Sequence, residues 1–159
     1  MVFIARHGKA GHDAPTDRER VLTSRGRRQA AFVGERLAAL EDGPGIVCTS
    51  AYPRAFETAS IIAHALGLEP VVDDRLVCGA PASHAVDLIN EYASRGITIC
   101  LVGHNPQLSH LATVLVGGPG GACGAGLGLR TGELVAVSFD GDEPLGRCTL
   151  ELQRRLEDD

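Results

Sequence analysis

Short apolar runs alternate with longer amphipathic ones along most of the chain. Residues 2–5 are apolar and end directly in Arg6-His7-Gly8, the pattern of a buried strand feeding a loop. Over residues 23–40, Ala30, Ala31, Val33, Leu37 and Leu40 recur at helical spacing, while Arg25, Arg27, Arg28, Glu35 and Arg36 make a wet face. A helix follows from this, capped at Thr23 or Ser24 and ended by the turn residues Asp42-Gly43-Pro44-Gly45. A second buried strand is predicted at 46–48, then a helix over 54–66 stopped by Gly67. A strand at 70–72, a helix at 83–94, the strongest strand at 97–102 and a helix at 106–116 complete the alternation. Residues 117–128 read as a Gly-rich surface loop, 133–139 and 148–153 as further strands, and 154–159 as a charged tail.

Strands of nearly continuous apolar character, alternating with helices, predict an α/β fold: a three-layer αβα sandwich with a mostly parallel central sheet. With no linker and no internal repeat, residues 1–159 are expected to form a single domain. Ligands of such sheets bind outside the carboxyl ends of the strands. Arg6-His7-Gly8, residues 50–54 and Gly103-His104-Asn105 all follow predicted strands. Two arginines and two histidines, Arg6, Arg54, His7 and His104, are therefore expected to converge.

Composition narrows the partners. Apolar residues make up 44% of the chain but aromatics only 4%, so the core should be aliphatic. A net charge of -5 excludes the broad basic footprint that nucleic acid requires, and an anion site must be a local pocket. The five cysteines are an odd number without a C-x-x-C pair; Cys48 and Cys100, inside apolar runs, read as buried free thiols of a reducing compartment, the cytoplasm. The N-terminal apolar run is too short for a signal peptide, and no stretch of ~20 apolar residues suggests a membrane span. The Gly-rich segment lacks the Gly-Lys-Ser/Thr of a phosphate-binding loop.

Phosphoryl transfer spreads negative charge over three equatorial oxygens, so it needs a nucleophile in line and cationic donors around the equator. Arginine suits the donor role because its planar fork takes two oxygens and stays charged. A neutral imidazole suits the nucleophile role, one ring nitrogen attacking while the other is held as N–H. Alone, each residue has an ordinary reading: Arg-His-Gly as a surface turn, Arg54 as a helix start, His104 as a core histidine. Their joint placement at strand ends favours the functional reading.

Phe3-Ile4-Ala5-Arg6-His7-Gly8-Lys9-Ala10 resembles the signature of the histidine phosphatase superfamily, which includes phosphoglycerate mutases and histidine acid phosphatases. Three further segments match it in order: 22–30 (Leu-Thr-Ser-Arg-Gly-Arg-Arg-Gln-Ala), 50–59 (Ser-Ala-Tyr-Pro-Arg-Ala-Phe-Glu-Thr-Ala) and 101–106 (Leu-Val-Gly-His-Asn-Pro). The resemblance implies a phosphoglycerate mutase-like fold, with His7 as the phosphorylated nucleophile, Arg6 and Arg54 as phosphate clamps and His104 as a second imidazole on the phosphoryl oxygens. No cofactor and no metal are implied. Small size, Lys9-Ala10, residues 17–23 and the Gly-His-Asn-Pro run make the chain most similar to bacterial phosphohistidine phosphatases of the SixA type, which act on a histidine of a phosphotransfer domain.

Arg20 is expected either at the rim of the phosphate pocket, meeting substrate, or among solvated charges. Gly8 and Asn105 are further candidates for substrate binding, Asn105 alternatively for capping the next helix. The acid that protonates the leaving oxygen in mutases and acid phosphatases of the superfamily has no counterpart at 76–80, Leu-Val-Cys-Gly-Ala; Asp73 and Asp74 precede it and are expected either to be drawn in or, as an exposed pair ahead of a loop, to be solvated. Lack of that acid tilts the expectation toward phosphoramidates and a phosphorylated protein partner. A small phosphorylated metabolite, and a module that binds phosphate or phosphoprotein without catalysis, remain the alternatives.

Overall fold

Strands buried on both faces need a layer of helices on each side, and the chain supplies two helices for each face. The computed structural model describes residues 1–117, 128–140 and 147–155. Strands β1 (Val2–Arg6), β2 (Ile46–Thr49), β3 (Pro70–Val72), β4 (Ile99–Gly103), β5 (Glu133–Asp140) and β6 (Arg147–Arg155) form one sheet in the order β3-β2-β4-β1-β5-β6. The first four are mutually parallel; β5 runs antiparallel to β1, and β6 antiparallel to β5.

The period-two alternation of side chains divides the core cleanly. Val2, Ile4, Ile99, Leu101, Val135 and Val137 face helices α3 (Ala82–Ala93) and α4 (Gln107–Gly117), which contribute Leu88, Leu108 and Leu111. Phe3, Ala5, Cys100, Val102, Leu134 and Ala136 face α1 (Ser24–Ala38) and α2 (Pro53–Ala65) through Val33, Leu37 and Ile62. Each fully buried Leu, Ile or Phe contributes about 1.5–3 kcal/mol relative to exposure, so both layers are held by aliphatic burial, as the composition suggests. Cys48 and Cys100 are buried free thiols, and burial pushes the Cys48 thiol up to about 11. Cys78 is exposed. No helix among the described residues is long and apolar enough to cross a membrane.

Two boundaries differ from the sequence reading. Strand β4 begins at Ile99 because Ile97 N–H donates to Tyr92 in the turn that closes α3, where Gly96 adopts φ +69°. Arg154 and Arg155, read from the sequence as the start of the tail, belong to β6, paired with Leu134 and Glu133. Residues 118–127 of the Gly-rich segment and 156–159 of the tail lie outside the described residues.

The loop after β1 is fixed to α1 by backbone contact. The Thr23 hydroxyl caps α1 by accepting from Gly26 N–H (3.1 Å) while donating to the Lys9 carbonyl (3.0 Å). A Cβ on Gly8 would strike the Gly26 carbonyl, and one on Gly26 the Lys9 carbonyl. Helix propensity alone makes Gly26→Ala stabilising by about 1 kcal/mol. The collision is with backbone, which has no rotamer to yield, so we expect net destabilisation of about 1–3 kcal/mol in urea unfolding. At Gly45 an added Cβ meets Ile97 Cγ2 at 3.4 Å and the Thr98 carbonyl at 3.9 Å, both ordinary contact distances; Gly45→Ala should therefore stay within about 0.5 kcal/mol of wild type. A more stable Gly26→Ala variant would contradict the packing argument.

Candidate active site

The parallel register brings the carboxyl ends of β1, β4 and β2 level: Arg6 pairs with Gly103, and Thr49 with Val102. Arg6 is the last residue of β1, and His7 follows it with its N–H on the Gly103 carbonyl at 3.1 Å. His104 follows β4, and Arg54 sits in the first turn of α2 after Pro53, a residue suited to the first helical position. The rings of His7 and His104 lie 5.2 Å apart, and Tyr52 packs edge-on against His104 at 5.0 Å. His7, Arg54 and His104 are all buried. The four residues expected to converge do so.

Hydrogen bonds fix the tautomer of His7 and engage one nitrogen of His104. His7 Nδ1 lies 2.8 Å from the Gly8 carbonyl, which can only accept, so Nδ1 carries the proton and Nε2 presents its lone pair. Burial pushes His7 down to about 4, against the pull of the Gly8 carbonyl, with Arg54, Arg6 and Arg20 adding to the depression. His104 is pushed to about 3, by burial first and then by His7 and Arg54. Both rings are neutral at pH 7. The Ser50 hydroxyl accepts from Tyr52 N–H (3.4 Å) and lies 2.7 Å from His104 Nε2. In the tautomer where Ser50 donates to Nε2, the single proton of the neutral His104 ring sits on Nδ1, the atom left without a partner.

Four buried side-chain polar atoms among the described residues have no partner, and three are Arg6 Nε, Arg54 Nε and His104 Nδ1. Each orphaned donor costs about 1–3 kcal/mol, so three at the end of one sheet call for an acceptor. A tetrahedral oxyanion beside His7 Nε2 has the oxygens to accept from all three. Arg6 NH1 is held by the Leu129 carbonyl at 2.9 Å. On Arg54, NH1 bonds the Asp17 carbonyl and NH2 the Asp17 carboxylate (2.9 Å), which leaves the Nε edge of the fork unspent.

The remaining sequence candidates divide. Arg20 does line the same cavity, donating from Nε to the Gly11 carbonyl (2.6 Å) and from NH1 to Asp17 (2.9 Å). Gly8 N–H is spent on Thr58 Oγ1 (3.1 Å), which itself donates to the Arg54 carbonyl (2.7 Å); its place is set by the close approach to Gly26. Asn105 lines the cavity, but its amide donates to the Leu129 carbonyl (2.8 Å) and its Oδ1 accepts from Ser109 (2.8 Å). Asp73 is not simply solvated: it accepts from the backbone and guanidinium of Arg75, and neither it nor Asp74 lines the cavity.

The cavity measures about 550 Å³. Asp17 is the one carboxylate among its described lining residues, and Arg20 and then Arg54 hold it well below the usual carboxylate range. Sequence reading did not single out Asp17 or His12, which also line the cavity. It also missed Gln29, which accepts from Lys9 N–H (2.8 Å) and donates to the Thr131 carbonyl (3.0 Å). A polar residue four before Val33 and eight before Leu37, on the apolar stripe of α1, was the available signal.

A family model described as the histidine phosphatase superfamily (branch 1) matches residues 2–77, which hold Arg6, His7 and Arg54. Over 81 residues the chain is 40% identical to the mitochondrial serine/threonine-protein phosphatase PGAM5 of Xenopus laevis, a match covering 50% of this chain and 30% of that protein. The chain thus spans less than a third of that relative's length. An uncharacterized protein of Mycobacterium tuberculosis is 32% identical over 111 residues, 69% of this chain and 68% of its own. The structure of the protein histidine phosphatase SixA complexed with tungstate shares the fold, with a TM-score of 0.81 at 23% identity over 97% of this chain and 96% of that one. Motif residues, matched sequence and fold agree, and the chain belongs to the histidine phosphatase superfamily.

Proposed function

We propose that the chain is a phosphatase working through a covalent intermediate on His7, and that its substrate is a phosphohistidine protein. The observation that carries this is the convergence of a neutral imidazole with a free Nε2 lone pair and three unpartnered donors, on Arg6, Arg54 and His104. In the first step Nε2 attacks phosphorus, the P–N bond to the substrate imidazole breaks, and that imidazole takes a proton. In the second, water attacks phosphorus, the P–Nε2 bond breaks, the water's proton goes to solvent, and phosphate leaves with the neutral His7 restored. Arg6, Arg54 and His104 Nδ1–H hold the equatorial oxygens through both steps. The guanidinium groups supply the charge neutralisation that a metal would otherwise give, so the reaction as proposed uses none.

The leaving group distinguishes phosphohistidine from an ester. The only carboxylate among the described lining residues is held ionised by Arg20 and Arg54 and has no proton to give at neutral pH. A phosphohistidine ring can take a proton from solvent on its unphosphorylated nitrogen, the histidine pKa being about 6.5, and then departs as a neutral imidazole. An alkoxide needs a positioned acid, whose absence costs on the order of a hundredfold or more. The tungstate in the SixA structure supports an oxyanion in the same fold. The serine/threonine-protein phosphatase relative supports a second reading, hydrolysis of phosphoserine or phosphothreonine esters.

Two measurements test this. A radiolabelled phosphohistidine peptide should leave an acid-labile, alkali-stable phosphoenzyme that His7→Ala does not form, and kcat/KM should exceed that for a matched phosphoserine peptide by about a hundredfold. Equal rates would favour the ester reading, and a labelled His7→Ala variant would remove His7 as nucleophile. Separately, with His7 near 4 and His104 near 3, their ring resonances in the free protein should stay flat between pH 8 and 5. A titration of either ring centred near about 6.5 would show that burial does not keep it neutral.

A further inference from the structure

Ser50 has no direct part in the phosphoryl clamp, yet it touches one of its members. It follows β2 directly, and the parallel register that sets Thr49 beside Val102 brings it close to the residue after Gly103, His104. Both side chains are fully buried, and Ser50 Oγ lies 2.7 Å from His104 Nε2. The other partner of that hydroxyl among the described residues is the Tyr52 N–H at 3.4 Å. Ser50 is not among the described residues that line the cavity, so it reaches the phosphoryl position only through His104.

A neutral imidazole carries one ring proton, and where it sits decides what the other nitrogen offers. With the proton on Nε2, Ser50 Oγ would accept twice, from Tyr52 N–H and from Nε2–H. The hydroxyl hydrogen would then be enclosed without an acceptor, and the unpartnered Nδ1 would turn a lone pair toward the phosphoryl oxygens. With the proton on Nδ1 every group has its complement. The backbone N–H of Tyr52 can only donate, so it takes an Oγ lone pair and frees the hydroxyl hydrogen for Nε2. Nδ1–H is left as a third donor beside Arg6 Nε and Arg54 Nε.

Resting on the phosphatase reading above, we infer that Ser50 is a positioning residue: it holds His104 in the Nδ1–H tautomer, so that the ring meets the phosphoryl oxygens as a donor rather than as a lone pair. A donor set before substrate arrives costs no reorganisation during the reaction. Burial keeps His104 down to about 3, so the ring is neutral at pH 7 and its tautomer alone decides whether it attracts or repels an oxyanion. The edge of the Tyr52 ring, 5.0 Å from His104, packs against the imidazole whose proton the Tyr52 backbone helps to place.

The direct test is the ring-nitrogen NMR spectrum of histidine-labelled wild-type protein at pH 7, free and with tungstate, a tetrahedral oxyanion; it requires no substitution. His104 should carry its proton on Nδ1 in both states, with Nε2 bare. A proton on Nε2 in either state, or no affinity for tungstate, would overturn the inference. In Ser50→Ala the Nε2–H form should gain population in the free protein, and tungstate should bind about tenfold more weakly, the worth of one ordinary hydrogen bond. His104→Ala should weaken binding at least as much, and Ser50→Ala added to it should weaken binding no further, because the first residue acts through the second. Unchanged affinity in Ser50→Ala, or a full second loss in the double variant, would overturn the inference. The outcome is separable from the phosphatase reading. Nδ1 protonated with tungstate bound, but no phosphoenzyme from any phosphorylated peptide, would overturn that reading and leave the role of Ser50 standing; a phosphoenzyme formed by protein with Nε2 protonated would do the reverse.

Discussion

Two guanidinium groups at the end of a buried sheet, Arg54 buried and Arg6 half-buried, repel one another and have lost much of their contact with water. Removing a charge from water costs several kcal/mol even after relaxation, and a second like charge adds to that. Burial and Arg54 together lower the pKa of Arg6, the signature of this repulsion. Nothing local relieves it in full: the Leu129 carbonyl takes one N–H of Arg6, Asp17 takes two groups of Arg54, and both Nε atoms go unpartnered. The resistance comes from elsewhere. Arg6 is anchored in the β1–β4 ladder, Arg54 in the first turn of a helix packed by Ile62 and Ala59, and Gly8 against Gly26 prevents the loop between them from moving outward.

That strained arrangement also sets the protonation of the histidines. Arg54 and Arg6 contribute to lowering both rings, after burial itself. A ring at about 4 in the folded chain and about 6.5 when unfolded binds fewer protons folded than unfolded between those values. The unfolded state therefore gains protons, and stability, as pH falls from 6.5 toward 4; folding is favoured as pH rises through that window. His7, the proposed nucleophile, is kept free of a proton at the expense of acid stability, and the same sign holds for His104 down to about 3.

Much of this was legible in the sequence because two periodicities and a handful of punctuating residues carry it. Continuous apolar strands gave the buried sheet, Thr23 and Gly67 marked helix ends, and the strand-end rule placed Arg6, His7, Arg54 and His104 together. Strand order was not legible, since β4 inserts between β2 and β1 through contacts far apart in sequence. Nor were the residues that act through one partner: Asp17 looks like any exposed acid until the 12–20 excursion returns it to Arg54, and Gly8 looks like a substrate amide until Thr58 takes its N–H. A backbone carbonyl such as Leu129, which holds both Arg6 and Asn105, leaves no trace in side-chain pattern at all.

The charge pattern finally bears on what can leave. A carboxylic acid that protonates an alkoxide must keep its proton near neutral pH, which requires apolar surroundings or a neighbouring carboxylate to raise its pKa. Asp17 has the opposite environment, exposed and bonded to Arg20 and Arg54. Arg54, proposed to hold the phosphoryl group, and Arg20 thus prevent the carboxylate bonded to them from acting as an acid. A site so charged is suited to a leaving group with its own affinity for a proton, and an imidazole has that affinity where an alcohol does not.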